Sequence, residues 1–242
     1  MALQGTRKHV VIALATRDFD PSETAVPFKR LTEAGHRVSF ATADGAPGAC
    51  DPIMINGGVL LGAIRPTSEH VQLYKEMAQS EAFLRPVRFA DVTPEEFDML
   101  VLPGGHAQGM RQYLEDETLQ GAVGAFMARD ALVGSICHGG VVLARSRVPG
   151  SDRSVVAGRR LTALPWHMEM SAWAATWPFW GNLFRTYPTS VQTELVEAGA
   201  HFERGPLVPR YGAPFVVTDG NLISARWPGD AEAFAAALVA AL

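Results

Sequence analysis

The sequence predicts an α/β fold built on a mostly parallel sheet with helices on both faces. Three observations predict it. Short apolar runs bounded by turn residues recur at 9–15 (HVVIALA), 37–43 (RVSFATA), 98–105 (DMLVLPGG), 131–137 (ALVGSIC), 160–165 (RLTALP) and 215–226 (FVVTDGNLISAR). Helix-like segments separate most of these runs, and apolar strands alternating with helices are what a parallel sheet covered on both sides requires. At 242 residues, 48% of them hydrophobic, the chain is also long enough to bury the core that such a sheet needs.

The first run follows MALQGTRK and is too short for a leader, with Thr16, Arg17 and Asp18 coming at once, so it reads as the first strand. In 23–35, Val26, Leu31 and Ala34 fall near helical spacing, Pro27 stands close to the start, and Gly35 is a natural residue just past a helix end. Further helices are expected at 68–83, 115–130, the stretch after Cys137, 190–199 and 229–242, the last with an Asp near its start. Two regions break the alternation. Residues 44–67 are rich in Gly and Pro and read as a long loop with room for a small hairpin. Residues 166–188 hold four of the five tryptophans and read as an irregular connection, of the kind that is often functional in α/β proteins. With no repeat, low-complexity tract or linker, a single domain over 1–242 is expected.

Composition narrows the function classes. A charged fraction of 19% and a net charge of −4 leave no basic footprint for nucleic acid. Two cysteines, Cys50 and Cys137, do not make a disulfide scaffold and fit a reducing compartment, and no stretch reaches the length of a membrane span, so a cytoplasmic protein is expected. His70, His106 and His167 are scattered without ligand spacing, so neither a metal nor another cofactor is expected.

The chemistry concentrates in VGSICHGGVVLARS (133–146), where a strand ending at Ile136 runs directly into a helix beginning near Gly139. Cys137 then stands on a sharp turn above the carboxyl edge of the sheet, with the helix N-terminus favouring its thiolate. Gly134, Gly139 and Gly140 relieve crowding there, as in nucleophile elbows that carry serine. Cys50, in its loop, reads as an inert thiol. The adjacent His138 is the expected base or imidazolium partner of Cys137, its third, orienting group coming from elsewhere. Pro103-Gly104-Gly105 alone reads as a tight turn. Beside the elbow it becomes a candidate oxyanion site, with Gly104, Gly105 and the His138 amide as donors. Glu23, taken alone, reads as a first-turn glutamate favoured by the helix dipole.

VLPGGHAQGM (101–110), GSICHGG (134–140) and PSETAVPFKRLTEAGHRVSFATADG (21–45) resemble the ThiJ/PfpI superfamily of the class I glutamine-amidotransferase-like fold, over nearly the whole chain. The resemblance implies a flavodoxin-like, doubly wound sheet with the reactive cysteine on the elbow, and dimerisation, which is common there. It carries over Glu23 as the carboxyl approaching the sulfur, where a protonated acid can donate to the thiolate or shuttle a proton. In the chaperone and glyoxalase III branch an acidic residue after the following strand orients the histidine. Glu169, expected in a loop opening at Leu164-Pro165, is similar in placement, which gives a triad of Cys137, His138 and Glu169, with His167 as a rival. Glutaminases of this fold use a later His-x-Glu. His201-Phe202-Glu203 has that form but reads as side chains alternating along a strand.

The branch usually reads Cys-His-Gly-Pro, whereas this chain has Cys137-His138-Gly139-Gly140. Trp166, Trp173 and Trp177 are candidates for lining a substrate pocket, with core or dimer surface as the competing uses. The expectation is a cysteine-dependent enzyme for a small electrophilic carbonyl, which forms a hemithioacetal with a 2-oxoaldehyde and releases a hydroxy acid without glutathione or metal. The alternatives are a cysteine hydrolase or hydratase for an amide, peptide or isonitrile, and a redox sensor or chaperone in which Glu23 holds an oxidised Cys137.

Overall fold

A computed structural model describes residues 6–56, 65–208, 210 and 212–242. In chain order the strands are β1 (His9–Ala13), β2 (Arg17–Phe19), β3 (Arg37–Thr42), β4 (Ala49–Cys50), β5 (Val87–Arg88) and β6 (Met99–Leu102). They continue with β7 (Leu132–Ile136), β8 (Arg160–Leu161), β9 (His201–Phe202), β10 (Val216–Asp219) and β11 (Leu222–Ala225). The helices are α1 (Pro21–Glu33), α2 (Pro52–Asn56), α3 (Ser68–Met77), α4 (Glu81–Leu84) and α5 (Arg111–Leu114). After these come α6 (Glu117–Ala128), α7 (Gly139–Arg145), α8 (Trp166–Trp180), α9 (Val191–Glu197) and α10 (Ala231–Ala241).

The main sheet has the order β10-β11-β7-β6-β1-β3-β5, parallel throughout except for the β10–β11 hairpin. Val10–Ala13 and Met99–Leu102 are buried without interruption because helices cover both faces of the sheet, with α1, α3 and α10 packed together and α6 against α7. From β1 the chain winds outward through β3 and β5, then returns to β6 on the other side of β1 and continues to β7 and β11. The reversal lies between β1 and β6, and it opens a crevice at their carboxyl ends, where doubly wound folds bind ligands. The segments leaving β1, β6 and β7 all emerge there, and they carry Asp20, Gly104-Gly105 and Cys137.

Local signals explain most boundaries. Asp20 caps α1 by accepting the Ser22 and Glu23 amides at 2.8 and 3.1 Å, Pro21 takes the first helical position, and Gly35 follows the end at φ 89°. The helix thus starts before the expected 23–35, which places Glu23 in its first turn. The expected helix at 68–83 divides because Ser80 caps a second start, its Oγ accepting the Phe83 amide at 3.3 Å.

Two expectations are corrected. In the 44–67 region the short strand β4 pairs in parallel with β2 and does not form a hairpin of its own, and the helix α2 follows; residues 57–64 lie outside the described residues. The aromatic stretch is not an irregular connection either, since Trp166–Trp180 is helical and a single 3-10 turn, Gly181–Phe184, continues it. Apolar residues on every side of α8 and Pro178 near its end hide the helical period in the sequence. Among the described residues no helix is long and apolar enough to cross a membrane.

Candidate active site

Cys137 follows the last residue of β7 and holds φ 58°, a left-handed conformation that costs a non-glycine residue roughly 1–2 kcal/mol. Its amide donates to the Ala225 carbonyl at 3.1 Å, which ties the elbow to the end of β11. The side chain is turned toward Glu23 and the loop after β6. Only glycine fits at 104, since a Cβ there would lie 2.5 Å from the His138 nitrogen and 2.9 Å from both Cys137 Cβ and Glu23 Oε2. Beneath the elbow, a Cβ on Gly139 would overlap the Leu102 carbonyl.

The glutamate is fully buried and lines the cavity with Cys137; its Oε2 accepts the Gly104 amide at 2.9 Å, and its Oε1 has no hydrogen-bond partner. Burial, and then the neighbouring charge of Asp20, hold the Glu23 carboxyl well above the usual carboxylate range. Asp20 is itself pushed up to about 7, mainly by burial, and its Oδ2 has no hydrogen-bond partner. Burial is also the main reason the Cys137 thiol is held well above its ordinary value, with the charges of Glu23 and Asp20 acting in the same direction. The His138 amide turned toward the sulfur opposes this without reversing it. Burial and the two neighbouring carboxyls thus oppose the thiolate that the helix N-terminus was expected to favour. The oxyanion expectation changes too, because the Gly104 amide is already committed to Glu23.

A cavity of about 50 Å³ is lined by both residues of this Cys137–Glu23 pair. Cys137, Glu23 and Gly105 line it together with Glu169, Met168 and Phe184. His106 is a further lining residue, stacked on Phe184 with ring centroids 4.3 Å apart. Its Nε2 is buried without a partner, and burial pushes its pKa down to about 4.

The residues expected to form a triad gather in this region but are only partly connected. His138 Nδ1 lies 3.5 Å from the Cys137 sulfur. The ring is buried behind the cavity surface, Nε2 has no partner, and burial together with His106 pushes the pKa down to about 3. Glu169 borders the cavity from the first turn of α8, where its Oε2 accepts the Val191 amide at 3.1 Å and burial pushes its pKa up to about 7. No hydrogen bond joins Glu169 to His138. The backbone at the start of α9 takes the carboxylate that was expected to orient the ring, and the carrier is a helix, not a loop.

The tryptophans are placed differently from the expectation. Residues 168, 169, 172 and 176 share the inner face of α8, whereas Trp166 and Trp177 are each 55% exposed. Trp173 donates to Asn182 Oδ1 at 3.1 Å and lies under the Arg185 guanidinium. None of the three lines the cavity; Met168, Ala172, Phe184 and Trp227 do. His201 is exposed on β9 and Glu203 pairs with Arg160 at 2.8 Å, so this His-x-Glu serves the surface. His70 lies on α3, and His167 on α8 has a buried Nε2 without a partner. Among the described residues no three His, Cys, Asp or Glu side chains come together as a metal site. Cys50 is buried, and burial pushes its thiol up to about 12.

Two site groups escaped the sequence reading. Asp20 precedes Pro21 in DFDPSE, a capping signal that could have found it. His106 directly follows the Pro-Gly-Gly turn at the carboxyl edge of β6, and position was its only signal.

Comparison with known proteins places this geometry. Over 224 residues and 93% of both chains, the sequence is 27% identical to a deglycase of Pyrococcus abyssi and 25% identical to the deglycase PfpI of Pyrococcus furiosus. It is 28% identical to protein DJ-1 homolog D of Arabidopsis thaliana, covering 91% of this chain and 44% of that one. The fold superposes on glyoxalase III from Candida albicans with a TM-score of 0.74 at 19% identity, over 97% of each chain. Residues 14–196 match the family described as ThiJ/PfpI family-like, and by that match over most of its length the chain belongs to this family.

Proposed function

We propose that the protein is a cysteine-dependent enzyme that converts a small 2-oxoaldehyde, of the methylglyoxal type, into the corresponding hydroxy acid without glutathione. One observation carries the reading: Cys137, on a strained elbow, and the buried Glu23 carboxyl line the same cavity of about 50 Å³. A water needs roughly 10–15 Å³ of such space, so the cavity suits a substrate of a few heavy atoms and not a peptide. The relatives named deglycases support the reading.

Burial holds Glu23 above the usual carboxylate range and Cys137 above the usual thiol range, and pushes His106 and His138 down to about 4 and about 3, so a relay that separates no charge is favoured. Sulfur bonds the aldehyde carbon as the thiol proton passes to the Glu23 carboxyl, which gives its own proton to the aldehyde oxygen and leaves a hemithioacetal. Glu169, with a pKa near the working pH, takes the C1 proton and returns it to C2 through an enediol, while the O1 proton moves to O2. The product is a thioester of the 2-hydroxy acid. Water cleaves it, releasing the acid and restoring the thiol. His106 faces the same space as a neutral imidazole able to bond the second oxygen.

The test is lactate formation from methylglyoxal without added thiol, run beside a panel of amides and isonitriles. The expected result is turnover by the wild type and a loss of at least about 10³-fold in Cys137→Ala. Undiminished activity of that variant, or turnover of amides alone, would overturn the reading. The Glu23–Cys137 contact also favours a second reading, in which the carboxyl holds an oxidised sulfur. It predicts a stable sulfinic acid after mild peroxide treatment and no turnover of any electrophile.

A further inference from the structure

We propose that the cleft between residues 108–111 and 182–188 is a binding site for a phosphate or carboxylate group. It has a volume of about 290 Å³ and is lined by Gln108, Arg111, Asn182, Arg185, Tyr187 and Pro188. The two guanidinium groups supply its charge. Arg111 spends Nε and Nη2 on the Thr186 carbonyl, at 2.8 and 2.6 Å, and Arg185 spends the same two nitrogens on the carbonyls of Tyr187 and Pro188, at 3.3 and 2.8 Å. Each keeps Nη1 uncommitted, and neither makes a salt bridge among the described residues, where Arg30, Arg145 and Arg226 all do.

These donors are held in place before any ligand arrives. Arg111 lies 5.0 Å over the Tyr187 ring and Arg185 5.0 Å over the Trp173 ring. The Asn182 Oδ1 accepts from Trp173 Nε1, which leaves the Asn182 amide nitrogen as a further free donor. Gln108 Nε2 donates to the Asn182 carbonyl at 3.3 Å and closes the opposite wall. Among the described residues two carboxyls act on the lining: Glu115 accepts from the Tyr187 hydroxyl at 2.6 Å, and Glu169 feels the Arg185 charge without an ion pair to it. Planar guanidinium groups with fixed terminal nitrogens recognise phosphate and carboxylate oxygens.

The second segment also supplies Phe184 to the reaction cavity, and His106, another lining residue there, stands two positions before the first, so an anion here lies beside the chemistry. The site does not depend on the reaction proposed above, because binding needs no turnover.

Titration calorimetry with inorganic phosphate tests it on the wild type, Arg185→Gln and Arg185→Lys. The expected result is saturable binding that weakens at least tenfold in Arg185→Gln and less in Arg185→Lys, which keeps the charge but not the fork. Phosphate should also raise the melting temperature of the wild type and not that of Arg185→Gln. Competition between phosphate and an oxoaldehyde carrying a phosphate group marks the tail of a substrate, and binding without competition marks a free anion; either supports the site. No saturable binding, or equal affinity in a folded Arg185→Gln, would overturn it.

Discussion

Glu23 Oε2 lies 2.9 Å from the Gly104 nitrogen, so the carboxyl that shares the cavity with Cys137 is locked to the turn after β6. Glu23→Gln keeps an acceptor for the Gly104 amide but removes the relay proton and the carboxyl that, after burial, raises the thiol. Turnover should fall about 10²- to 10⁴-fold. The pH at which iodoacetamide modifies Cys137 should move downward at the same time, and an unchanged alkylation profile would contradict the assigned coupling.

The two histidines should separate in kinetics. His138 touches the sulfur and His106 lines the cavity, so His138→Asn should change the rate of thiol alkylation, whereas His106→Asn should leave it unchanged. Both should lower kcat for methylglyoxal. Equal effects of the two variants on alkylation would show that this division of roles is mistaken.

Glu169 should leave a signature in stability. Its folded pKa of about 7 lies above the unfolded carboxyl value of about 4, so it contributes stability that is present at low pH and lost as the pH rises through that window. His106 and His138, pushed down to about 4 and about 3, act with the opposite slope below the ordinary histidine range. Comparing Glu169→Gln with the wild type isolates the carboxyl. The variant should gain stability relative to the wild type between pH 5 and 8, by on the order of 1–3 kcal/mol. Melting curves across that range check it, and a difference independent of pH would exclude the shift.

The Arg226–Asp230 pair is fully buried, with Nε to Oδ2 at 2.8 Å and Nη2 to Oδ1 at 3.0 Å, and between the two residues lie the cavity-lining Trp227 and Pro228. Asp230→Asn leaves a buried guanidinium without its counter-charge and should destabilise the fold by about 3–5 kcal/mol. Denaturant unfolding measures the loss; one below about 1 kcal/mol would mean that the pair relaxes toward water.

The elbow was legible in the sequence because its causes are local: an apolar run, a cysteine and the glycines that let strand and helix close on each other. The mostly parallel character of the sheet followed from the alternation of apolar runs and helix-like segments, while the order of its strands did not. Glu23 was legible only through family resemblance, since a first-turn glutamate has an ordinary explanation in the helix dipole and its burial depends on β6 arriving beside it. The α8 helix was hidden because its apolar residues surround it and leave no period to count. Its tryptophans suggested a pocket by their type alone. Their direction depends on which face of α8 meets the rest of the chain, and that is settled by tertiary packing.

The outward turn of the α8 indoles has a spectroscopic consequence. Trp166 and Trp177 emit from water, whereas Trp227 is 3% exposed in the cavity wall and emits from an apolar setting. Selective quenching of the blue part of the fluorescence would therefore report occupancy of the reaction chamber, while dissolved iodide would silence the red part first.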